Sequence, residues 1–322
     1  MRGRAPVVGR NGAAVTGSDQ APSETITSLQ HAGIDVNIGH ESPQVHSGLD
    51  AVVVSAAIKE DNPELAWARQ RGQRVVKYAE MLGELMGQYQ GIAVSGTHGK
   101  STTSAWLSFL MKQAQVDVNF IVGALVEQLN SSSGIGESEF FVAEACEYDR
   151  SFLNIRPMMA CILNIEQDHL DYYQDEAEIV AAFKTFASGI PAQGMLVVNG
   201  EDENCRQIME EIRPDVACIS FGLDEACTFH ARNVRLVRGL YQFDVYGEGQ
   251  LLGATGISLP GKHNVLNALA VTAMACSAGI PSQTVLNLLP EFTGISRRLT
   301  LKDQFNRITI LDDYAHHPTE IK

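Results

Sequence analysis

At 322 residues, 45% of them hydrophobic, the chain is long enough for about two domains and a sizeable core. Its formal net charge of -14 argues against a nucleic-acid binder, so an anionic ligand must be held locally by backbone amides, Lys, Arg or metal. No apolar run approaches a membrane span, the basic residues 1–6 lead into no apolar signal region, and the six cysteines form no Cys-x-x-Cys pair, which reads as reduced thiols in a cytoplasmic protein.

Residues 1–14 show no periodicity. A strand–helix rhythm then begins. Strands are expected at 14–17, ending in Gly17-Ser18-Asp19, at 34–38, at 51–55 (Ala-Val-Val-Val-Ser) and at 74–76. Helices are expected at 23–31, with Ser23 as N-cap and Gly33 past the end, at 63–71, with Asn62 as cap and Pro63 at the first position, and at 78–86. Such βαβ alternation implies a parallel sheet covered on both faces.

The next stretch, Gly91-Ile92-Ala93-Val94-Ser95-Gly96-Thr97-His98-Gly99-Lys100-Ser101-Thr102-Thr103, organises the chain. An apolar strand runs into a glycine turn and then into the N-terminus of a helix expected at 100–113. Backbone N–H groups and the helix dipole there favour an anion, Lys100 can reach outer phosphates, and the Ser101 hydroxyl can sit on Mg²⁺. Val94 stands where the longer phosphate-loop pattern has its first glycine, and an ordinary glycine turn accounts for the same residues.

Further strands are expected at 118–122, 140–143, 159–163 and 195–198, and helices at 176–187 and 203–211. Ser131-Ser132-Ser133-Gly134 reads as a flexible loop. Residues 228–258 read as three antiparallel strands with turns at Arg238-Gly239 and Gly247-Glu248-Gly249. Helices at 263–278 and 282–289 follow, then a strand at 307–311.

Three polar stretches accompany the loop. Glu144-Ala145-Cys146-Glu147-Tyr148-Asp149 puts three carboxylates at a strand's C-terminal end, where α/β folds place ligands and a hard cation finds oxygen donors; a solvated acidic loop is the alternative. Asn164-Ile165-Glu166-Gln167-Asp168-His169-Leu170-Asp171 sets His169 among carboxylates, as a metal ligand, an acid/base or a structural residue. Lys262-His263-Asn264-Val265-Leu266-Asn267 opens a helix with two amides on one face, suited to a base or ribose, or simply to capping. Arg297-Arg298 reads as an anion clamp or as an exposed pair at a hinge.

Together these stretches resemble the Mur ligase family, which adds amino acids to UDP-N-acetylmuramate for bacterial cell walls. The resemblance runs from about residue 15 to the last residue. It rests on the short form Gly96-Thr97-His98-Gly99-Lys100-Ser101-Thr102, on the runs 144–152 and 164–171, and on Gly261-Lys262-His263-Asn264-Val265-Leu266-Asn267-Ala268, in the family's order. Alanine-adding members fit best, given His98, the run 54–64, Ala79-Glu80-Met81-Leu82, Gly294-Ile295-Ser296-Arg297-Arg298 and Asp312-Asp313-Tyr314-Ala315-His316-His317-Pro318. Recycling ligases that attach a whole peptide are the competitor.

The resemblance implies an α/β chain: a Rossmann-like UDP-sugar domain (1–88), a central ATP domain with a P-loop ATPase-type parallel sheet and an added antiparallel meander (89–294), and the start of a third α/β domain (295–322). It implies ATP, Mg²⁺, UDP-N-acetylmuramate and L-alanine as ligands, with no nucleic acid and no membrane insertion. Lys100 would hold the β- and γ-phosphates within the loop Gly96–Thr102, with Ser101 and Glu144 on one Mg²⁺ and His169 on a second. His98, Ser18, Asp19 and Ser55 would face the substrate. His263, Asn264 and Asn267 would border the adenine, and Arg298 and Asp313 would meet the nucleotide. Residues 1–13 do not reproduce the family's first strand and glycine-rich turn, and the chain ends as the third domain begins, so a fragment with impaired activity is expected. A nucleotide-binding module without ligation and a generic P-loop kinase remain as other readings.

Overall fold

A computed structural model describes residues 13–40, 48–306, 308–315 and 317. The first helix lies between two short parallel strands: β1 (Thr16–Asp19), α1 (Glu24–His31), β2 (Asp35–Ile38). Ser23 Oγ accepts from Ile26 N at 3.3 Å and caps α1, as its hydroxyl predicts. A second parallel pair joins β3 (Val52–Val54) to β4 (Val75–Lys77) around α2 (Pro63–Gln70), whose cap Asn62 accepts from Glu64 N and Leu65 N at 3.0 and 3.1 Å. Helix α3 (Tyr78–Met86) follows directly.

This region departs from expectation. In place of one parallel sheet, the described residues form two separate two-stranded parallel pairs. Their strands are only three or four residues long, and each pair is joined across one helix. The expected loss of a first strand and glycine-rich turn falls on 1–13, of which residues 1–12 lie outside the described residues.

The centre is one ten-stranded mixed sheet. In chain order it comprises β5 (Gln90–Ser95), α4 (Lys100–Gln113), β6 (Asn119–Val126), β7 (Ser131–Gly134), β8 (Phe140–Glu144), β9 (Met159–Ile162), α5 (Glu176–Ser188), β10 (Met195–Asn199), α6 (Glu203–Glu211), β11 (Ala217–Gly222), β12 (Phe229–Val237), β13 (Leu240–Gly247), β14 (Gln250–Gly256), α7 (His263–Ser277) and α8 (Ser282–Leu288). The spatial order is β14-β13-β12-β11-β10-β9-β5-β8-β6-β7. Pairing is parallel from β12 through β6 and antiparallel at both flanks. The expected meander is therefore continuous with the parallel sheet, joined where Phe221 and Gly222 of β11 pair with Phe229 and His230.

The period-2 alternation of β5 divides the core between two faces. Ile92 and Val94 point to one layer, packed with Trp106 and Phe109 of α4 and with Leu269 of α7. Ala93 points to the other, with Leu82 of α3 and Phe183 and Phe186 of α5. Both faces being covered, the strands read as nearly continuous apolar runs. Trp106 stacks on Phe292 with ring centroids 5.2 Å apart, which ties α4 to the segment after α8.

Two local expectations change. The serine run 131–134 is not a loop but edge strand β7, with Ile121 opposite Ser133 and Phe120 opposite Gly134. Its weak strand propensity is overridden by the ladder of β6 and by a position where any Cβ on Gly134 would overlap the Phe120 ring. Strand 307–311 is observed as β16 (Ile308–Asp312), with Arg307 outside the described residues. It pairs antiparallel with β15 (Thr300–Phe305), a charged, poorly alternating strand that periodicity does not reveal. No helix among the described residues is long and apolar enough to cross a membrane.

Helix α3 meets the 3₁₀ segment Tyr148–Asn154 so closely that a Cβ on Gly83 would overlap the Asn154 carbonyl oxygen. That segment follows the carboxylates of β8. Gly83→Ala should therefore destabilise the fold by about 1–3 kcal/mol, in the range of overpacked cores. Urea unfolding curves of the two proteins check this; an unchanged midpoint would contradict it.

Candidate functional site

The sheet order sets β5 between β9 and β8, so the phosphate loop, the β8 carboxylates and the 164–171 run all emerge at neighbouring strand C-termini. The loop is clamped to the β9 exit. Asn164 Oδ1 accepts from His98 N at 2.7 Å and its Nδ2 donates to His98 O at 3.1 Å. The Thr97 hydroxyl accepts from Glu166 N at 2.9 Å, and Thr97 N donates to Asn164 O at 3.0 Å. Two glycines make this approach possible. Gly96 has φ +137° and a Cβ there would sit 3.0–3.1 Å from Leu163 and Asn164. Gly99 has φ +83° and its Cβ would meet Asn267 Oδ1 at 2.9 Å.

Lys100, the first residue of α4, turns back into the loop. Its Nζ donates to Gly96 O (2.6 Å), Thr97 O (3.0 Å) and Glu147 Oε1 (2.8 Å). Burial pulls its pKa down, but the charge of Glu147, with Glu144 further off, outweighs burial and holds the ammonium above its ordinary value. Glu147 is 2% exposed, and its Oε2 is buried with no hydrogen-bond partner. Tyr173, also buried, donates its hydroxyl to the Glu147 carbonyl at 2.6 Å. Glu147 was visible in the sequence as one carboxylate of three. What singles it out is burial, which no spacing reports.

Glu144 accepts from Gly123 N at 2.8 Å. A Cβ on Gly123 would overlap the Glu144 carboxylate and stand 3.1 Å from Ser101 Oγ, so the hydroxyl and the carboxylate border one point. Thr102 continues the first turn of α4, half-buried. His169 has φ +55°, an uncommon conformation held by Tyr172 N and Tyr173 N donating to its carbonyl at 2.8 and 2.9 Å. Its Nε2 lies 3.4 Å from Glu147 Oε1 and 3.8 Å from Asp168 Oδ2, and the Glu147 contact, opposed by burial, raises the imidazole pKa.

Of the other expected residues, Asn267 lies against the loop at Gly99. Asn264 and Asn267 are buried; Asn267 Nδ2 donates to Asn264 Oδ1 (2.9 Å) and Asn264 Nδ2 to Pro260 O (2.6 Å). Neither is the N-cap of α7, which is Lys262, so capping does not explain them. His263 is exposed beside Gly261. Asp313 shapes a turn, accepting from Leu299 N (2.8 Å) and Ala315 N (2.7 Å), while Arg297 and Arg298 flank the Tyr314 ring. Ser18, Asp19 and Ser55 have their described side-chain partners within 13–88: Ser18 donates to Glu64 and touches His40, Asp19 accepts from Ala21 N, and Ser55 accepts from Ala57 N.

Removing Lys100 strands the buried Glu147 charge. Lys100→Met should cost about 3–5 kcal/mol of stability, and adding Glu147→Gln should recover most of it; chemical denaturation of the single and double variants checks the sign. The His169–Glu147 pair carries the opposite pH dependence from a paired carboxylate. With a folded pKa raised above 6.5, its contribution is complete below that pH and lost as pH rises through the raised value. In metal- and nucleotide-free protein, His169→Gln should flatten the fall in unfolding free energy on the alkaline side, read from urea titrations at several pH values.

Two family models match the chain: "Mur ligase family, catalytic domain" over residues 1–90 and "Mur ligase middle domain" over residues 94–275. The first match spans the atypical N-terminal residues. A UDP-N-acetylmuramate--L-alanine ligase of Caldicellulosiruptor bescii is 43% identical over 310 residues, covering 96% of this chain and 68% of the relative. A solved UDP-N-acetylmuramate-alanine ligase from Thermotoga maritima superposes with TM-score 0.84 at 27% identity, covering 98% of this chain and 72% of that one. A UDP-N-acetylmuramate:L-alanyl-gamma-D-glutamyl-meso-diaminopimelate ligase from Neisseria meningitides gives 0.82 at 26% identity, over 92% and 96%. With the phosphate loop, the β8 carboxylates and the β9 exit joined at the C-terminal ends of adjacent central strands, the chain belongs to the Mur ligase family.

Proposed function

We propose that this chain carries the nucleotide-binding machinery of an ATP-dependent ligase joining L-alanine to UDP-N-acetylmuramate. One observation carries the reading. Lys100 is held at the strand C-termini in a glycine loop whose rim bears Ser101, Glu144 and His169, on a chain similar along nearly its whole length to alanine ligases. Domains at 1–88, at 89–294 and from 295 suit the family matches, which break between residues 90 and 94.

In this reading ATP transfers its γ-phosphoryl group to the muramoyl carboxylate, giving an acyl phosphate. The alanine amine then attacks the carbonyl carbon, the C–N bond forms, and phosphate leaves. Lys100 exchanges its Glu147 partner for phosphate oxygens and stabilises charge as it develops on them. The Gly96–Thr102 backbone and the α4 N-terminus hold the phosphates in place. Ser101 and Glu144 are oxygen donors bordering one point, which fits a Mg²⁺ ion, and His169 is the proposed contact for a second. Bound there, Mg²⁺ supplies electrostatic stabilisation of the transferring phosphoryl group. His98, fixed at its backbone by Asn164, faces the reacting carboxyl, and Ser18, Asp19 and Ser55 serve the nucleotide-sugar side. Asn264, Asn267 and His263 border the adenine, and Arg298 and Asp313 meet the nucleotide from the far side.

A peptide-attaching ligase is the second reading, favoured by the near-equal superposition on the Neisseria enzyme. Amide formation from UDP-N-acetylmuramate, ATP and either L-alanine or a murein tripeptide separates the two. Alanine should be the preferred acceptor, and Lys100→Ala should abolish both ATP binding by calorimetry and product formation. ATP binding without any amide product would instead favour a nucleotide-binding module.

A further inference from the structure

A second group of ligating side chains stands at the outer rim of the phosphate loop, apart from Lys100 and Glu147. His98, Glu166 and His317 each bring one donor atom to a shared space, all within 4.8 Å of one another. His98 Nε2 lies 3.5 Å from Glu166 Oε2, and the His98 and His317 rings are 4.7 Å apart at 42°. We propose that these three residues form a site for a zinc-class divalent ion, which clips the segment after β16 onto the phosphate loop.

Two of the three donors stand on fixed backbone. The Asn164 side chain clamps both main-chain groups of His98, and the Thr97 hydroxyl clamps both main-chain groups of Glu166. Such supporting contacts orient metal ligands. The third donor follows a turn that Asp313 builds by accepting from Leu299 N and Ala315 N, with Tyr314 N donating to Arg297 O at 2.9 Å. Zinc bonds of about 2.0–2.2 Å put tetrahedral donors roughly 3.3–3.6 Å apart. The His98–Glu166 pair already has that spacing, and rotation of the half-buried His317 side chain closes the rest.

The donor set selects the metal. Two imidazoles and one carboxylate suit Zn²⁺, Co²⁺ or Ni²⁺, whereas Mg²⁺ prefers oxygen donors such as Ser101 and Glu144. Three protein ligands leave a fourth position open to water or to a phosphate or carboxylate oxygen. Because His98 lies two residues before Lys100, an ion here would join the end of the described chain to the loop whether or not the ligase reading holds.

The test uses the full chain without affinity-tag histidines, stripped of metal and nucleotide, with Co²⁺ as probe. The expected result is one equivalent of Co²⁺ bound with a tetrahedral visible spectrum, displaced by Zn²⁺ and unaffected by excess Mg²⁺. His317→Ala and Glu166→Gln should each weaken binding by about tenfold or more, while Cys146→Ser and His169→Gln leave it unchanged. Absence of a tetrahedral complex, displacement by Mg²⁺, unaltered affinity in His317→Ala, or loss of binding in Cys146→Ser or His169→Gln would each overturn the assignment.

Discussion

The site depends on one buried ion pair. Lys100 and Glu147 are both largely withdrawn from water, where the desolvation of two charges can exceed their mutual attraction. The pair is sustained because the ammonium also donates to two loop carbonyls, which fold the Gly96–Gly99 turn around it. A lysine held this way is charged, oriented and ringed by oxygen acceptors. Glu147 occupies one acceptor position, and its second oxygen is buried with no hydrogen-bond partner among the described residues.

Everything around that pair serves to keep the loop in register with the β9 exit. The amide of Asn164 reads both backbone groups of His98, and the Thr97 hydroxyl reads both of Glu166. These clamps require the two segments to approach more closely than a side chain at Gly96 or Gly99 permits. Beneath them, β5 is buried on both faces between α4–α7 and α3–α5. Left-handed φ at Asp149, Arg150 and His169 clusters on the two segments that meet at Glu147, where packing over-determines the backbone.

Toward the end of the chain the structure becomes open. β15 and β16 form a pair whose apolar residues Phe305, Ile308 and Ile310 are exposed. Asp313 turns the chain back from this pair, and the arginines at 297 and 298 line up on Tyr314. His317 thereby arrives beside His98, joining an exposed segment to the phosphate loop.

Much of this was legible in the residues. Ser23, Asn62 and Pro63 marked helix starts because caps are local chemistry, and β5 with α4 was readable because an apolar strand, two glycines and Lys100-Ser101 leave one local geometry. The three polar runs were likewise visible at strand ends. Other features were not, among them β15, whose charged, weakly alternating residues do not announce its pairing with β16. Strand β7 looked like a serine loop, since its pairing belongs to the edge of β6 rather than to its own side chains. Among the described residues the first parallel sheet appears as two pairs, since strand adjacency is set by long-range packing. Glu147 looked equal to Glu144 and Asp149, yet only Glu147 is buried against Lys100 and His169. Local sequence thus determined most elements, their caps and the phosphate loop, because those follow from backbone conformation over a few residues. Tertiary structure alone decided which strand ends meet and which carboxylate faces the lysine, because burial and the order β9-β5-β8 arise from contacts between segments distant in the chain.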